Sequence, residues 1–261
     1  MKILKKLLAA GIVLAVLTTA LYVFVLSPRR VVPILMYHGI REGEASSMYV
    51  SPKNFDRQMM FLKKQGYSVI SLDELVRGIE NGKGYIPRTV VITFDDGYRD
   101  NYLSAFPVLA KYGFPATIFL VTGYAGNEEY LTWDQVNIMR SNGIAFGSHT
   151  MNNVYLPSET DTTLLWKEIS GSRRDIERST GEAPKYFAYP IGGFNSKVKA
   201  AVKMAGYKGA CTTNRGSDRY NKDVFELNRI KITNSDTVKP FHFRAKLSGF
   251  YNLFRKLKSP E

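Results

Sequence analysis

The sequence predicts an α/β fold, an irregular (β/α) barrel of about seven or eight parallel strands preceded by one transmembrane helix. Three observations lead there. β-rich apolar runs alternate with helical patterns, a glycine repeatedly follows the helical pattern just before the next strand, and one twenty-residue stretch near the N-terminus carries no charge.

The uncharged stretch covers residues 7–26. At about 1.5 Å per residue, twenty residues span the roughly 30 Å hydrocarbon core of a bilayer. The hydrophobic region of a cleaved signal is shorter, about 7–15 residues, although Thr18-Thr19-Ala20 offers a mediocre cleavage site for that alternative. Basic residues lie on both sides, but Lys2, Lys5, Lys6 and the free amine favour the N-terminus inside. The expectation is a single-pass anchor in the cytoplasmic membrane with the rest of the chain outside. Residues 1–30 then form the anchor, 31–240 the main domain and 241–261 a basic amphipathic tail.

The strand-like runs fall at residues 31–37, 68–72, 89–94, 116–121, 144–148, 186–189, 207–213 and 227–232. Ser51-Pro52 supplies a cap and first-turn proline for the helix carrying Phe55, Met59 and Leu62. Ser71 with Glu74, and Thr132 with Gln135, have capping-box spacing. Gly66, Gly82, Gly113, Gly143, Gly181 and Gly206 stand where a left-handed helix terminus is needed. In the tail, Phe243, Leu247, Phe250, Phe254 and Leu257 recur at helical spacing among cations. That pattern fits either a helix lying on lipid headgroups or a last helix packed on the barrel. Gly249 weakens either helix.

A formal charge of +13 is compatible with an anionic polymer or surface, and five of those cations flank the apolar segment. No zinc-finger, RNA-recognition or arginine-rich pattern accompanies the charge, so nucleic acid is not an expected partner. Cys211 is the only cysteine, which excludes an intrachain disulfide and a cysteine-based zinc site. A monomer is expected.

The run 89–94 reads as a strand buried on both faces, with Asp95 and Asp96 emerging at its C-terminal end before Gly97. Adjacent carboxylates repel, so ionising both near a core requires a cation or strong donors. One can hold a metal while its neighbour handles a proton. A helix cap on a solvated turn is the plainer alternative. Residues 144–148 similarly deliver His149 at a strand end, and Val32 through Tyr37 lead to His38.

At Thr93-Phe94-Asp95-Asp96-Gly97 the chain resembles the polysaccharide deacetylases, the carbohydrate esterase family that contains the chitin, peptidoglycan and rhizobial chitooligosaccharide deacetylases. Tyr98-Arg99-Asp100-Asn101-Tyr102, His149-Thr150 and Phe187-Ala188-Tyr189-Pro190-Ile191-Gly192 continue the likeness. His38 at its strand end is similar to the branch that includes biofilm poly-N-acetylglucosamine deacetylases. The resemblance implies Asp95 as catalytic base, His38 as general acid, and Asp96 and His149 as metal ligands. It also implies a substrate and oxyanion wall at Tyr189, Pro190 and Ile191. The cofactor would be a divalent metal, Zn²⁺ with Ni²⁺ or Co²⁺ as alternatives, and the partner an N-acetylated polysaccharide.

Two positions depart from the family. Asn153 stands where a second metal histidine is usual, leaving Asn153, Asn152 or a water to complete the site, or a decayed site. Ala188 stands where many members carry an arginine that orients the base, and Arg229 is the candidate to supply that charge. The rivals to an N-deacetylase are an O-acetyl glycan esterase and a catalytically silent glycan-binding protein.

Overall fold

The computed structural model describes residues 2–21, 30–43 and 48–260, and divides the chain into two units, 1–31 and 32–261. In the first unit, Lys2–Ala20 is a helix whose described apolar side chains, Leu7, Leu8, Ile12 and Leu14 among them, are exposed. Residues 22–26 of the expected membrane span lie outside the described residues. Among the described residues no helix is long and apolar enough to cross a membrane.

Among the described residues the second unit contains ten strands: β1 Ile34–Tyr37, β2 Gly39–Ile40, β3 Tyr49–Val50, β4 Ser68–Val69, β5 Thr89–Phe94, β6 Thr117–Leu120, β7 Ala145–Ser148, β8 Tyr186–Ala188, β9 Gly209–Cys211 and β10 Ile230–Lys231. Each of the eight runs read from the sequence contains one of them. The β2–β3 pair is an addition, made of two-residue segments too short to leave a periodic signal. The main sheet runs β10-β1-β5-β6-β7-β8-β9, with β4 also on β5, and every pairing in it is parallel. A parallel bridge between Cys211 and Leu227 brings β9 against the segment that leads into β10. This is a curled parallel sheet consistent with a (β/α) barrel.

Alternation along the strands sorts side chains into two layers. Ile34, Val91, Phe119, Tyr186, Ala188, Cys211 and Leu227 form one buried cluster, and Leu72, Leu75 and Val76 join it from the helix Leu72–Glu80. Leu35, Tyr37, Ile92, Phe94, Ile118 and Leu120 belong to a second cluster, with Phe55, Met59 and Leu62 of the helix Pro52–Lys64. Phe187 and Ala210 pack with Val198 and Val202 in a third.

The helices start where the sequence marks them. Ser51 Oγ accepts from the Asn54 N–H, and Thr132 with Gln135 makes both halves of a capping box. At Ser71 the side chain accepts from Glu74 N–H. The helix Phe106–Tyr112 ends at Gly113 with φ 67°, a left-handed conformation that a side chain resists. The tail is two short helices, Pro240–Leu247 and Tyr251–Phe254, separated at Gly249 with φ 81°. Phe243 and Leu247 are buried in the second cluster, while His242 and Phe254 are exposed.

Because the strands are parallel, the residues that follow them emerge at one end of the sheet. His38, Asp95, His149 and Ile191 all do so, after β1, β5, β7 and β8.

Phe55 is fully buried with its ring 5.2 Å from Tyr37 and 5.8 Å from Phe94. Phe55→Ala is expected to cost about 3–5 kcal/mol of stability. Phe254→Ala, at an exposed ring, should stay within about 0.5 kcal/mol. Urea unfolding of both variants checks the contrast.

Candidate active site

Every residue of β5 is buried, so the chain leaves it rigidly. The Asp95 N–H donates to Tyr37 O at 3.0 Å, continuing the β1–β5 ladder past its last strand residue. Asp96 then adopts φ 71° and Gly97 φ 72°, two left-handed residues in succession. This turn sends the two carboxylates in different directions. A Cβ on Gly97 would lie 2.7 Å from Leu120 Cδ2, so the turn depends on glycine.

Asp95 meets Arg229. The guanidinium donates Nη1 to Asp95 Oδ1 at 2.5 Å and Nη2 to Oδ2 at 2.7 Å, a two-pronged pairing. Its Nε donates to Thr212 O at 2.9 Å, Nη1 also reaches Thr93 Oγ1, and the plane stands over the Phe119 ring. Arg229 is 1% exposed and Asp95 3%. Burial by itself pushes the Asp95 carboxyl up, but Arg229, with His149 and His38 adding, holds it at about 2. Burial likewise works against the charge on Arg229, and Asp95 raises it above an ordinary arginine.

His38 Nε2 lies 4.0 Å from the other side of Asp95, at Oδ2. Burial pulls the His38 imidazole below its ordinary value, and Asp95 and Asp96 offset this only in part.

Asp96 faces a different set. His149 Nε2 is 3.7 Å from Asp96 Oδ1, and Asn153 Nδ2 is 3.5 Å from the same oxygen. The His149 Nδ1 lies 2.7 Å from Ala188 O. A carbonyl can only accept, so Nδ1 carries a hydrogen and Nε2 is left toward Asp96. A nitrogen lone pair and a carboxylate oxygen at that spacing both present electrons to the space between them, a donor pair that suits a cation. The residues therefore fit a divalent ion. A half-turn of the Asn153 amide exchanges Nδ2 for Oδ1 and would present a third donor. Among the described residues no group of three His, Cys, Asp or Glu side chains gathers to hold a metal. The candidate ligand set rests on one carboxylate, one imidazole and one amide.

Two buried anchors of this site were not read from the sequence. Glu168 belongs to Lys167–Gly171, a widened helical turn, and is 9% exposed. Its Oε2 accepts from the Met151 and Asn152 N–H groups at 3.0 and 2.9 Å, and its Oε1 from Asn152 Nδ2 at 2.6 Å. Asn152, the alternative ligand, is thereby committed elsewhere, and Asn153 comes round with φ 55° to face Asp96. Only an acidic residue in an apolar helical context marked Glu168, and helices carry many of those. The second anchor is Asp100 with Asn101. Asp100 Oδ1 accepts from Ile40 N–H at 2.8 Å, and Asn101 Nδ2 donates to His38 O at 2.9 Å. Both lie within the motif residues 98–102, where the signal was present but its purpose was not.

Of the expected substrate wall, Ile191 alone faces the cleft, 63% exposed and left-handed at φ 57°. Contrary to expectation, Tyr189 and Pro190 do not face it. Tyr189 is fully buried, stacked on Phe194, with its hydroxyl donating to Phe225 O at 3.1 Å, so its ring cannot meet a sugar. Pro190 is buried beside it. Tyr98 does line the cleft, and burial followed by Asp96 raises its phenol. The cleft holds about 700 Å³, bordered by His38, Asp95, Asp96, His149 and Asn153.

The Asp95 pKa is depressed by folding. Its pairing therefore stabilises fully above the unfolded value of about 3.9, and that contribution is lost as pH falls towards about 2. Arg229→Met leaves a buried carboxylate unpaired and is expected to cost about 3–5 kcal/mol at neutral pH. The acid limb of stability should also move upward, because burial then dominates Asp95. Urea unfolding as a function of pH reads both.

The model of the family described as polysaccharide deacetylase matches residues 83–210. YxkH of Bacillus subtilis, classed among the polysaccharide deacetylases, is 33% identical over 201 residues, 77% of this chain and 71% of YxkH. The poly-beta-1,6-N-acetyl-D-glucosamine N-deacetylase of Staphylococcus aureus is 27% identical over 222 residues, 80% of this chain and 75% of that one. Among solved structures, the Streptococcus pyogenes deacetylase PplD in complex with acetate superposes with a TM-score of 0.76 at 29% identity, over 83% of this chain and 97% of PplD. IcaB from Ammonifex degensii, at 22% identity and a TM-score of 0.74 over 84% of this chain and 97% of IcaB, shares the fold. Sequence and fold agree across most of both lengths, and the chain belongs to the polysaccharide deacetylase family of hydrolases.

Proposed function

We propose that the chain is a metal-dependent hydrolase that removes N-acetyl groups from a hexosamine polysaccharide such as poly-N-acetylglucosamine, peptidoglycan or a chitin-like polymer. The observation that carries this reading is the division of labour between adjacent carboxylates. Asp95 is clamped by Arg229 beside His38, while Asp96 turns to His149 and Asn153. The S. aureus relative named as an N-deacetylase of poly-β-1,6-N-acetylglucosamine supports the substrate class.

Asp96, His149 and Asn153 would hold the ion, Zn²⁺ first with Ni²⁺ or Co²⁺ as alternatives. When bound, it would polarise the acetyl carbonyl and acidify a water. Asp95 accepts the proton of the attacking water, with Arg229 fixing the direction of its oxygens. The Ile191 backbone N–H, at the cleft wall, is the proposed donor toward the oxyanion. His38 delivers a proton to the departing nitrogen as the C–N bond breaks, giving acetate and a free amine. The uncharged run 7–26, whose last residues lie outside the described helix, is read as a membrane anchor that puts this reaction outside the cytoplasmic membrane.

Acetate release from poly-β-1,6-N-acetylglucosamine and from peptidoglycan, after thorough chelation and metal add-back, tests the proposal. Activity that survives chelation would sink the metal mechanism. Release from O-acetyl substrates alone would favour an esterase, and glycan binding without release under any metal would favour a silent site. Glu168→Ala frees the loop that carries Asn153, and is expected to weaken Co²⁺ binding about 10- to 100-fold while the fold persists. Calorimetric titration with Co²⁺ and circular dichroism measure the two parts separately.

A further inference from the structure

The cleft is electrically lopsided. Lys231, Lys246, Arg255 and Lys258 line it together with Arg229, against the two carboxylates Asp95 and Asp96. Two of its cations are committed to acids, Arg229 to Asp95 and Lys246 to the buried Asp236 at 2.8 Å. Arg255 and Lys258 have no ion pair to an acidic side chain among the described residues. The Arg255 guanidinium donates only to neutral acceptors, Arg229 O at 2.7 Å, Thr213 O at 3.2 Å and Asn228 Oδ1 at 3.4 Å. Its charge is held in place without being neutralised. Lys258 is exposed, yet its backbone is pinned at the rim, donating to Asn214 O at 2.8 Å and accepting from Gly216 N–H at 3.2 Å.

Such an arrangement has a cost. Positive groups held close repel, and burial beside Lys246 already lowers the Lys231 amine. A neutral polymer of N-acetylhexosamine makes no use of this wall, and the amine left by deacetylation is repelled by it. An anionic group on the glycan balances it and is drawn toward the reacting end of the cleft.

We infer that the cleft recognises an N-acetylhexosamine glycan bearing an anionic substituent, a carboxylate or a phosphate ester, on or next to the sugar that is deacetylated, with Arg255 and Lys258 receiving that charge. This rests on the deacetylase reading and narrows its substrate. The carboxylate source would be an ether-linked lactyl group, as on N-acetylmuramic acid, and the phosphate source a phosphorylated sugar hydroxyl.

The test compares three tetrasaccharides on the full-length chain. One is neutral β-1,6-linked N-acetylglucosamine, one is the same oligomer carrying a phosphate ester, and one alternates N-acetylglucosamine with N-acetylmuramic acid bearing free lactyl carboxylates. Calorimetric Kd values are taken alongside kcat and KM for acetate release. At low salt at least one anionic oligomer should bind about tenfold more tightly than the neutral one, with the gap closing at about 1 M salt. The ratio of anionic to neutral affinity should fall about three- to fivefold in Lys258→Gln and further in Lys258→Glu. Preference for the lactyl or the phosphorylated oligomer identifies the source. Equal affinities, or a ratio unmoved by Lys258→Glu, would overturn the inference even if acetate is released from all three. Anionic preference in binding without acetate from any of them would uphold the charge recognition and strike the deacetylase reading.

Discussion

The pairing of Asp95 with Arg229 is the constraint on which the site depends. Neither group tolerates burial alone, since an isolated charge in a protein interior costs far more than any single packing contact returns. They lie 134 residues apart in the chain. Asp95 follows β5 in the middle of the sheet, whereas Arg229 stands just before β10, on the segment that bridges to β9 and leads onto β1. The carboxylate is thus held in its ionised form only when the last strand has docked. The same guanidinium also donates to Thr212 O just past β9, so the residue that sets the chemistry of Asp95 ties the β9 edge of the sheet to β5.

Around this pair the loops are held by buried polar anchors more than by apolar packing. Asp96, Thr150, Asn153 and Ile191 all carry positive φ, which for residues other than glycine is strained by about 1–3 kcal/mol each. Glu168 holds one such loop through two backbone N–H groups, and Asp100 with Asn101 holds the chain at His38 and Ile40. A carboxylate accepting backbone donors fixes both distance and direction, which apolar contact does not. The widened helical turn at Lys167–Gly171 fits the same pattern, being a less favourable helix geometry retained beside the site.

Asn153 shows how much the surroundings matter. Read as a letter, it is a weaker donor than the histidine usual at that position. In the fold its N–H is held by Thr150 Oγ1 at 2.9 Å and its side chain reaches Asp96, so the amide is presented to the place where a cation belongs. Orientation of this kind offsets part of what a neutral ligand lacks in charge.

Sequence alone determined the strand order in time, the burial of β5 on both faces, and the emergence of His38, Asp95 and His149 at strand ends. Those follow from local composition, because a parallel buried strand must be apolar throughout and its polar successors must leave at its C-terminal end. Arg229 was legible only as a candidate, since nothing local ties residue 229 to residue 95. The burial of Tyr189, the turning away of Asn152 and the clamp at Glu168 were not legible at all. Each depends on which neighbours a side chain meets across 15 to 40 residues of chain, as with Glu168 and Asn152 at a separation of 16 and Tyr189 and Phe225 at 36. The sequence specifies which groups can do chemistry, while tertiary packing decides which of them point at one another, because direction comes from contacts that no local pattern encodes.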